Sequence, residues 1–66
     1  MDTLEVIINR LLNIYFKLKK GESISEEDKK GLPFYLGIKK VYDEKDMIEK
    51  IEEFFRRLKK RFEQIK

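Results

Sequence analysis

Two runs of apolar residues, each advancing in alternating steps of three and four, constrain this chain more than any other feature of its sequence. The first run is Leu4, Ile7, Leu11, Ile14 and Leu18, and the second is Ile48, Ile51, Phe55, Leu58, Phe62 and Ile65. This is the heptad spacing of a helix with one apolar face. The sequence therefore predicts an all-α fold built on two long amphipathic helices.

The expected ends of the long helices come from capping residues. A first helix is predicted over about residues 3–19, with Thr3 as its N-cap, or Asp2 as the alternative, and Gly21 as the left-handed residue that ends it. A last helix is predicted over about residues 44–65, capped by Asp43. At 1.5 Å per residue, the last helix would be about 33 Å long.

The segment between the long helices is too long for a bare loop in a compact domain. A short helical turn is predicted over about residues 25–30, ended by Gly31. A further short helix is predicted over about residues 33–42, because proline favours the first turn of a helix. Leu32 precedes Pro33 and is therefore expected to be extended, forming a corner.

The apolar segment from Gly31 to Tyr42 is expected to close over one end of the long helices. On a helix that starts at Pro33, Phe34 and Ile38 face the core, whereas their neighbours point sideways or outward. Those neighbours could dock on a partner, together with residues that widen the apolar face of the first helix. The alternative is that the whole segment is core. The predicted partner-binding residues are Tyr35, Leu36, Leu12 and Phe16.

The charge pattern favours antiparallel pairing of the two long helices. Residues 43–53 carry six acids and two lysines, whereas residues 54–66 carry six bases and one acid. The first helix ends in a basic stretch, which antiparallel packing sets beside the acidic half of the last helix. Exposed ion pairs contribute only about 0–1 kcal/mol each, so this is a bias. The alternative topology is an up-down-up three-helix bundle whose first and last helices run parallel.

The length of the chain, 66 residues, is near the lower limit for independent folding. Proteins of this size usually add disulfides, a metal or oligomerisation to a small core. The sequence has no cysteine and no histidine, so neither a disulfide bond nor a zinc site is expected to stabilise the fold. Oligomerisation, most simply as a dimer, or incorporation into a larger complex is therefore expected to complete the fold.

Several classes of function are not expected from this composition. Histidine, the most frequent general base, is absent, and no glycine-rich phosphate loop is present. No enzyme activity, cofactor, metal or small-molecule substrate is predicted. No signal peptide or membrane-spanning segment is recognisable, so a cytoplasmic protein without a membrane partner is expected. The high content of charged residues, 44%, favours a thermophilic source, archaeal or viral.

The sequence leaves two functional interpretations. The first is a non-enzymatic protein–protein interaction module that self-associates or serves as a small subunit of a larger assembly. The alternative is a nucleic-acid-associated protein that contacts phosphates through the last helix. The residues predicted for that contact are Arg56, Arg57, Lys59, Lys60 and Arg61. Against it, Glu52 and Glu53 are placed to pair with Arg56 and Arg57 on a solvated face.

Overall fold

Residues 3–64, the part of the chain described by a computed structural model, form three α-helices and no β-strand. α1 spans Leu4–Lys19, α2 spans Glu26–Leu36 and α3 spans Glu44–Gln64. The predicted all-α fold is confirmed. Ile65, the last member of the second heptad run, lies outside the described residues.

Both ends of α1 follow from local sequence. The Thr3 hydroxyl accepts a hydrogen bond from the Val6 backbone N–H at 3.4 Å, which satisfies one of the free N–H groups at the helix start. After the last helical turn, Gly21 has φ of +79°, a conformation that glycine adopts without steric cost. The expected roles of Thr3 and Gly21 are confirmed.

Reciprocal side-chain contacts fix the start of α3. The Asp43 carboxylate accepts from the Asp46 backbone N–H at 2.8 Å, and the Asp46 carboxylate accepts from the Tyr42 backbone N–H at 3.0 Å. Together these bonds act as a capping box, with aspartate in place of the usual glutamate. The negative side chains also lie at the positive end of the helix dipole.

α2 differs from the sequence prediction. A single helix replaces the turn expected over about residues 25–30 and the helix expected over about residues 33–42. Ser25 caps it by accepting from the Asp28 N–H at 3.1 Å. Gly37, with φ of +69°, ends it. Gly37 was expected inside a helix, so its role as the left-handed terminator is a second correction.

Burial of leucine side chains explains why α2 continues through Pro33. The proline lacks an N–H group and costs a helix interior about 3 kcal/mol. Leu32 and Leu36 lie one turn apart on the same face of α2, and both are buried. Burying each of these two side chains stabilises the fold by about 1.5–3 kcal/mol, and the sum offsets the cost of the proline. The prediction of an extended corner at Leu32 is therefore wrong, because Leu32 lies inside α2.

Each helix contributes to the core one side chain with no exposed surface at all, namely Leu11, Leu32 and Ile51. The other buried side chains of the described residues surround these three and are Ile14, Leu18, Ile24, Leu36 and Met47. Burial decreases toward the start of α1 and the end of α3, where Leu4 is 49% exposed and Phe62 is 58% exposed. Each long apolar stripe is thus covered over only part of its length.

The expected positions of Phe34 and Leu36 are both wrong. Phe34 is 77% exposed and Leu36 is 5% exposed. The cause is the earlier start of α2: its buried face is set by Leu32 and Leu36, and Phe34, two positions from each, lies about 200° around the helix from them. Phe34 therefore projects into solvent, whereas Leu36 belongs to the core.

A contact between α1 and α2 depends on Gly31. The Arg10 guanidinium donates to the Tyr35 hydroxyl, and its carbon lies 5.6 Å from the centre of the same ring. A Cβ atom at position 31 would come within 2.9 Å of that ring. Glycine at position 31 therefore lets the Tyr35 ring lie against α2 while its hydroxyl reaches Arg10.

We expect Gly31→Ala to lower the free energy of unfolding in the native background, although alanine is the better helix former by about 1 kcal/mol. In a Tyr35→Ala background the ring is absent, and the same change should raise stability by about that amount. Chemical denaturation of the four variants measures both effects. An equal gain in the two backgrounds would show that the ring does not limit position 31.

Candidate interaction surfaces

A groove runs between α1 and α3 on the side away from α2. Its apolar lining, here called the α1–α3 groove, consists of Ile8, Leu12, Phe16, Phe55, Leu58 and Phe62. α2 contacts the other side of the pair, where Tyr35 meets Arg10, and Leu36 lies near Phe54. No described residue covers the groove, in which Phe16 remains 54% exposed.

The groove exists because α1 has two apolar faces. Leu11, Ile14 and Leu18 are buried in the core. Ile8, Leu12 and Phe16 advance in steps of four, and Leu12 lies about 100° around the helix from Leu11. A helix with this much apolar circumference can be covered only by neighbours on two sides. α2 and α3 cover the first face, and the second is open.

A hydrogen bond fixes α1 against α3 at the wall of the groove. The Tyr15 hydroxyl donates to Glu52 Oε2 at 2.8 Å. The Lys19 ammonium lies 5.9 Å from the centre of the Tyr15 ring. The hydrogen bond to the Glu52 carboxylate raises the pKa of Tyr15 above its usual value of 10.0, with smaller contributions from burial and from the negative charge of Glu52.

The second candidate surface is the basic half of α3. Its five cations, here called the basic cluster, are exposed and are Arg56, Arg57, Lys59, Lys60 and Arg61. They are distributed around the helix. Arg56 and Lys59 line the α1–α3 groove. Arg57, Lys60 and Arg61 line a separate cavity on the side of α2. Arg56, Arg57 and Lys60 also line a third pocket, together with Glu53. The sequence pattern did not identify the convergence of Arg57, Lys60 and Arg61.

The expected ion pairs within α3 do not form. Glu52 accepts from Tyr15, and Glu53 lies 3.8 Å from Lys50. Within residues 3–64, no member of the basic cluster makes a salt bridge. The charges of all five cations are therefore not neutralised by ion pairs with those carboxylates.

The four predicted partner-binding residues fall in three environments. Leu12 and Phe16 line the groove. Tyr35 is half-buried and contacts Arg10, and Leu36 is buried and cannot reach a partner. The sequence analysis missed Phe55 and Phe62 as groove residues, because it placed both on the core stripe of the last helix. Heptad spacing identifies an apolar face but not which part of that face a neighbour covers.

We expect Tyr15 to contribute a pH-dependent part of the stability. Its folded pKa is raised, so the contribution is complete below the usual value of 10.0 and is lost as pH rises through the folded value. The difference in unfolding free energy between wild type and Tyr15→Phe should therefore be constant up to about pH 9 and shrink above it. Glu52→Gln should return the pKa of Tyr15 toward its usual value.

Ultraviolet titration of the tyrosines checks this expectation directly. The late part of the titration should be present in wild type and absent from Tyr15→Phe. If Glu52→Gln leaves the titration of wild type unchanged, the hydrogen bond to Glu52 does not hold the phenol proton in solution.

No helix within residues 3–64 is long and apolar enough to cross a membrane. The same residues contain no group of three or more side chains placed to hold a metal ion. No protein-family model, curated protein or solved structure matches this chain.

Proposed function

We propose that this protein is a non-enzymatic helical interaction module whose α1–α3 groove is buried against another protein surface, either a second copy or a larger assembly. The observation that carries the proposal is the groove itself, an apolar surface that extends over both long helices. Apolar surface gathered in one place, with charged residues at its edges, is typical of an interaction site. Aromatic residues within the groove, here Phe16 and Phe55, are common anchors of interfaces.

The proposal includes antiparallel pairing of α1 and α3. Tyr15, near the end of α1, bonds Glu52 in the first half of α3. Ile8, near the start of α1, shares a cavity with Phe62 near the end of α3. Residues near the start of α1 thus lie beside residues near the end of α3, as expected for antiparallel helices. This order disfavours the up-down-up topology with parallel first and last helices.

The small core supports a role in association. Chains of this length gain little stability from their own burial. In this chain the apolar faces of α1 and α3 continue beyond the part that α2 covers, and Leu4 and Phe62 are about half exposed. Covering this surface would add apolar burial that the three helices do not provide by themselves.

We propose a non-enzymatic role because of the kinds of side chain present and their exposure. The sequence has no histidine or cysteine. No polar or charged side chain of the described residues is buried, so none has the desolvated environment that tunes catalytic groups. The raised pKa of Tyr15 has a structural cause, its hydrogen bond to Glu52.

Replacing one groove residue tests this function. We expect Phe16→Glu to abolish association without unfolding the chain, because the side chain is 54% exposed and lies outside the core. Sedimentation equilibrium at micromolar concentrations measures self-association, and capture from cell extract with a tagged chain measures binding to other proteins. Circular dichroism and the melting temperature report the fold.

Phe34→Glu is the matched control, since Phe34 is 77% exposed and lies on α2, away from the groove. It should leave association and the fold unchanged. The proposal is wrong if wild type neither self-associates nor retains a protein, or if Phe16→Glu binds as well as wild type.

Nucleic-acid binding is a second candidate function, favoured by the convergence of Arg57, Lys60 and Arg61 on one cavity, where none of them forms an ion pair with another residue in the range 3–64. Arginine and lysine side chains that are free of carboxylates can follow a phosphate backbone. This cavity also lies on the opposite side of α3 from the groove, so the two functions do not compete for the same surface.

If these cations contact phosphates, affinity for duplex DNA should fall steeply with salt, by a slope of about −0.9 in log K against log salt per phosphate neutralised. The double variant Arg57→Gln, Lys60→Gln should flatten the slope by about two such contacts. Lys30→Gln, Lys39→Gln removes the same charge elsewhere and should leave the slope close to that of wild type. Absence of binding at about 50 mM salt, where such contacts are strong, excludes this candidate.

A further inference from the structure

The charged residues along the groove side of α3 form a self-complementary series. Taken in the opposite direction, the series has the opposite charge at every position. Glu52, Arg56, Lys59 and Glu63 line the groove. Lys45 and Glu49 continue the same side of the helix toward its start, so that the series Lys45, Glu49, Glu52, Arg56, Lys59 and Glu63 advances in steps of four and three. In chain order, the charges of these six residues are plus, minus, minus, plus, plus and minus. Read backwards, every sign is inverted.

This order defines a centre on α3. Lys45 and Glu63 each lie nine positions from residue 54, Glu49 and Lys59 each lie five, and Glu52 and Arg56 each lie two. If a second α3 lies alongside in the opposite direction with residue 54 at the crossing point, each of these pairs brings opposite charges together. A parallel copy in register would bring like charges together instead.

The side of α1 that carries Ile8, Leu12 and Phe16 has the same property in sequence. Glu5 and Lys19 each lie seven positions from Leu12, and Ile8 and Phe16 each lie four. In a reversed copy of α1, Glu5 meets Lys19, Ile8 meets Phe16 and Leu12 meets itself. The charged residues are at the ends of the contact and the apolar residues are at its middle, as is usual for an interface.

The contact between α1 and α3 shows that the two centres coincide. The Tyr15 hydroxyl bonds Glu52, so these two residues lie at about the same height in the bundle. With α1 and α3 antiparallel, Leu12, three residues before Tyr15, lies level with residue 55, three residues after Glu52. The centre on α1 and the centre on α3 therefore lie at about the same height in the bundle.

We propose that a second copy of this chain covers the α1–α3 groove, related by a two-fold axis that crosses the helices at the height of Leu12. α1 then packs against the reversed α1 of the partner, and α3 against the reversed α3. This inference rests on the proposed function, in which the groove is an interaction site, and it names the occupant and its orientation. A two-fold interface of this kind is self-complementary, as both helix edges require.

The apolar groove and the charged edges have different tasks in this dimer. The groove residues, above all Leu12 and Phe16, supply the affinity because their apolar surface is removed from water when the dimer forms. Exposed ion pairs add little affinity, but they penalise an arrangement in which like charges meet. The edges therefore select the antiparallel orientation over the parallel one.

Charge exchange tests the orientation. Glu49→Lys and Lys59→Glu, each alone, place like charges opposite each other twice per dimer and should raise the dimer dissociation constant roughly tenfold. The double variant restores both pairs with the signs exchanged and should return to within about twofold of wild type. Positions 49 and 59 are about 15 Å apart along one helix, so restoration can come only from contacts between copies.

Cross-linking tests the position of the axis, which is possible because the chain has no cysteine of its own. With a short bismaleimide, Leu12→Cys should link to itself. Glu49→Cys and Lys59→Cys should link when mixed but not separately, because each is about 15 Å from its own copy along the helices. Lys30→Cys, on α2, should give no product and serves as the control.

The outcomes separate this inference from the proposed function. Strong linking of Glu49→Cys to itself, or no recovery in the charge-exchanged double variant, overturns the antiparallel dimer but leaves the groove as an interaction site. A wild-type chain that stays monomeric at all concentrations also overturns the dimer. The proposed function then still holds if the groove retains another protein in a manner that Phe16→Glu abolishes, and fails if it does not.

Discussion

The structure depends on the fact that α2 lies on only one side of the pair formed by α1 and α3. On that side the three helices meet at Leu11, Leu32 and Ile51 and exclude water completely. On the other side no described element is present, and the second apolar face of α1 lines an open groove with α3. The location of the core and the location of the candidate interaction surface thus have one cause.

The contacts around the core show how burial overrides local preference in a small domain. Pro33 and Gly31 each disfavour a helix, yet both lie inside α2. The helix persists because Leu32 and Leu36 are buried on one face, which contributes more than the proline costs. Gly31 has a use of its own, since it gives the Tyr35 ring space to reach Arg10.

The two candidate surfaces lie on opposite sides of α3 and differ in physical character. The groove is apolar with charged edges, and association through it would depend on burial with an orientation set by charge. The cavity lined by Arg57, Lys60 and Arg61 is cationic and would act through long-range attraction that salt weakens. A dimer that covers the groove would leave both cationic cavities exposed, so association and phosphate contact are compatible in one molecule.

The sequence by itself determined the helical class, the caps at Thr3 and Asp43, and the apolar faces of the long helices, because capping and heptad spacing depend on residues within a few positions of each other. It also contained the charge order of α3. Only the tertiary structure decided that Leu36 is core and Phe34 is exposed, since this depends on where α2 starts and which face it turns to α1 and α3. It also decided that Phe16 and Phe55 share an uncovered groove, because a periodic stripe gives the direction of a face but not the extent of the neighbour that covers it.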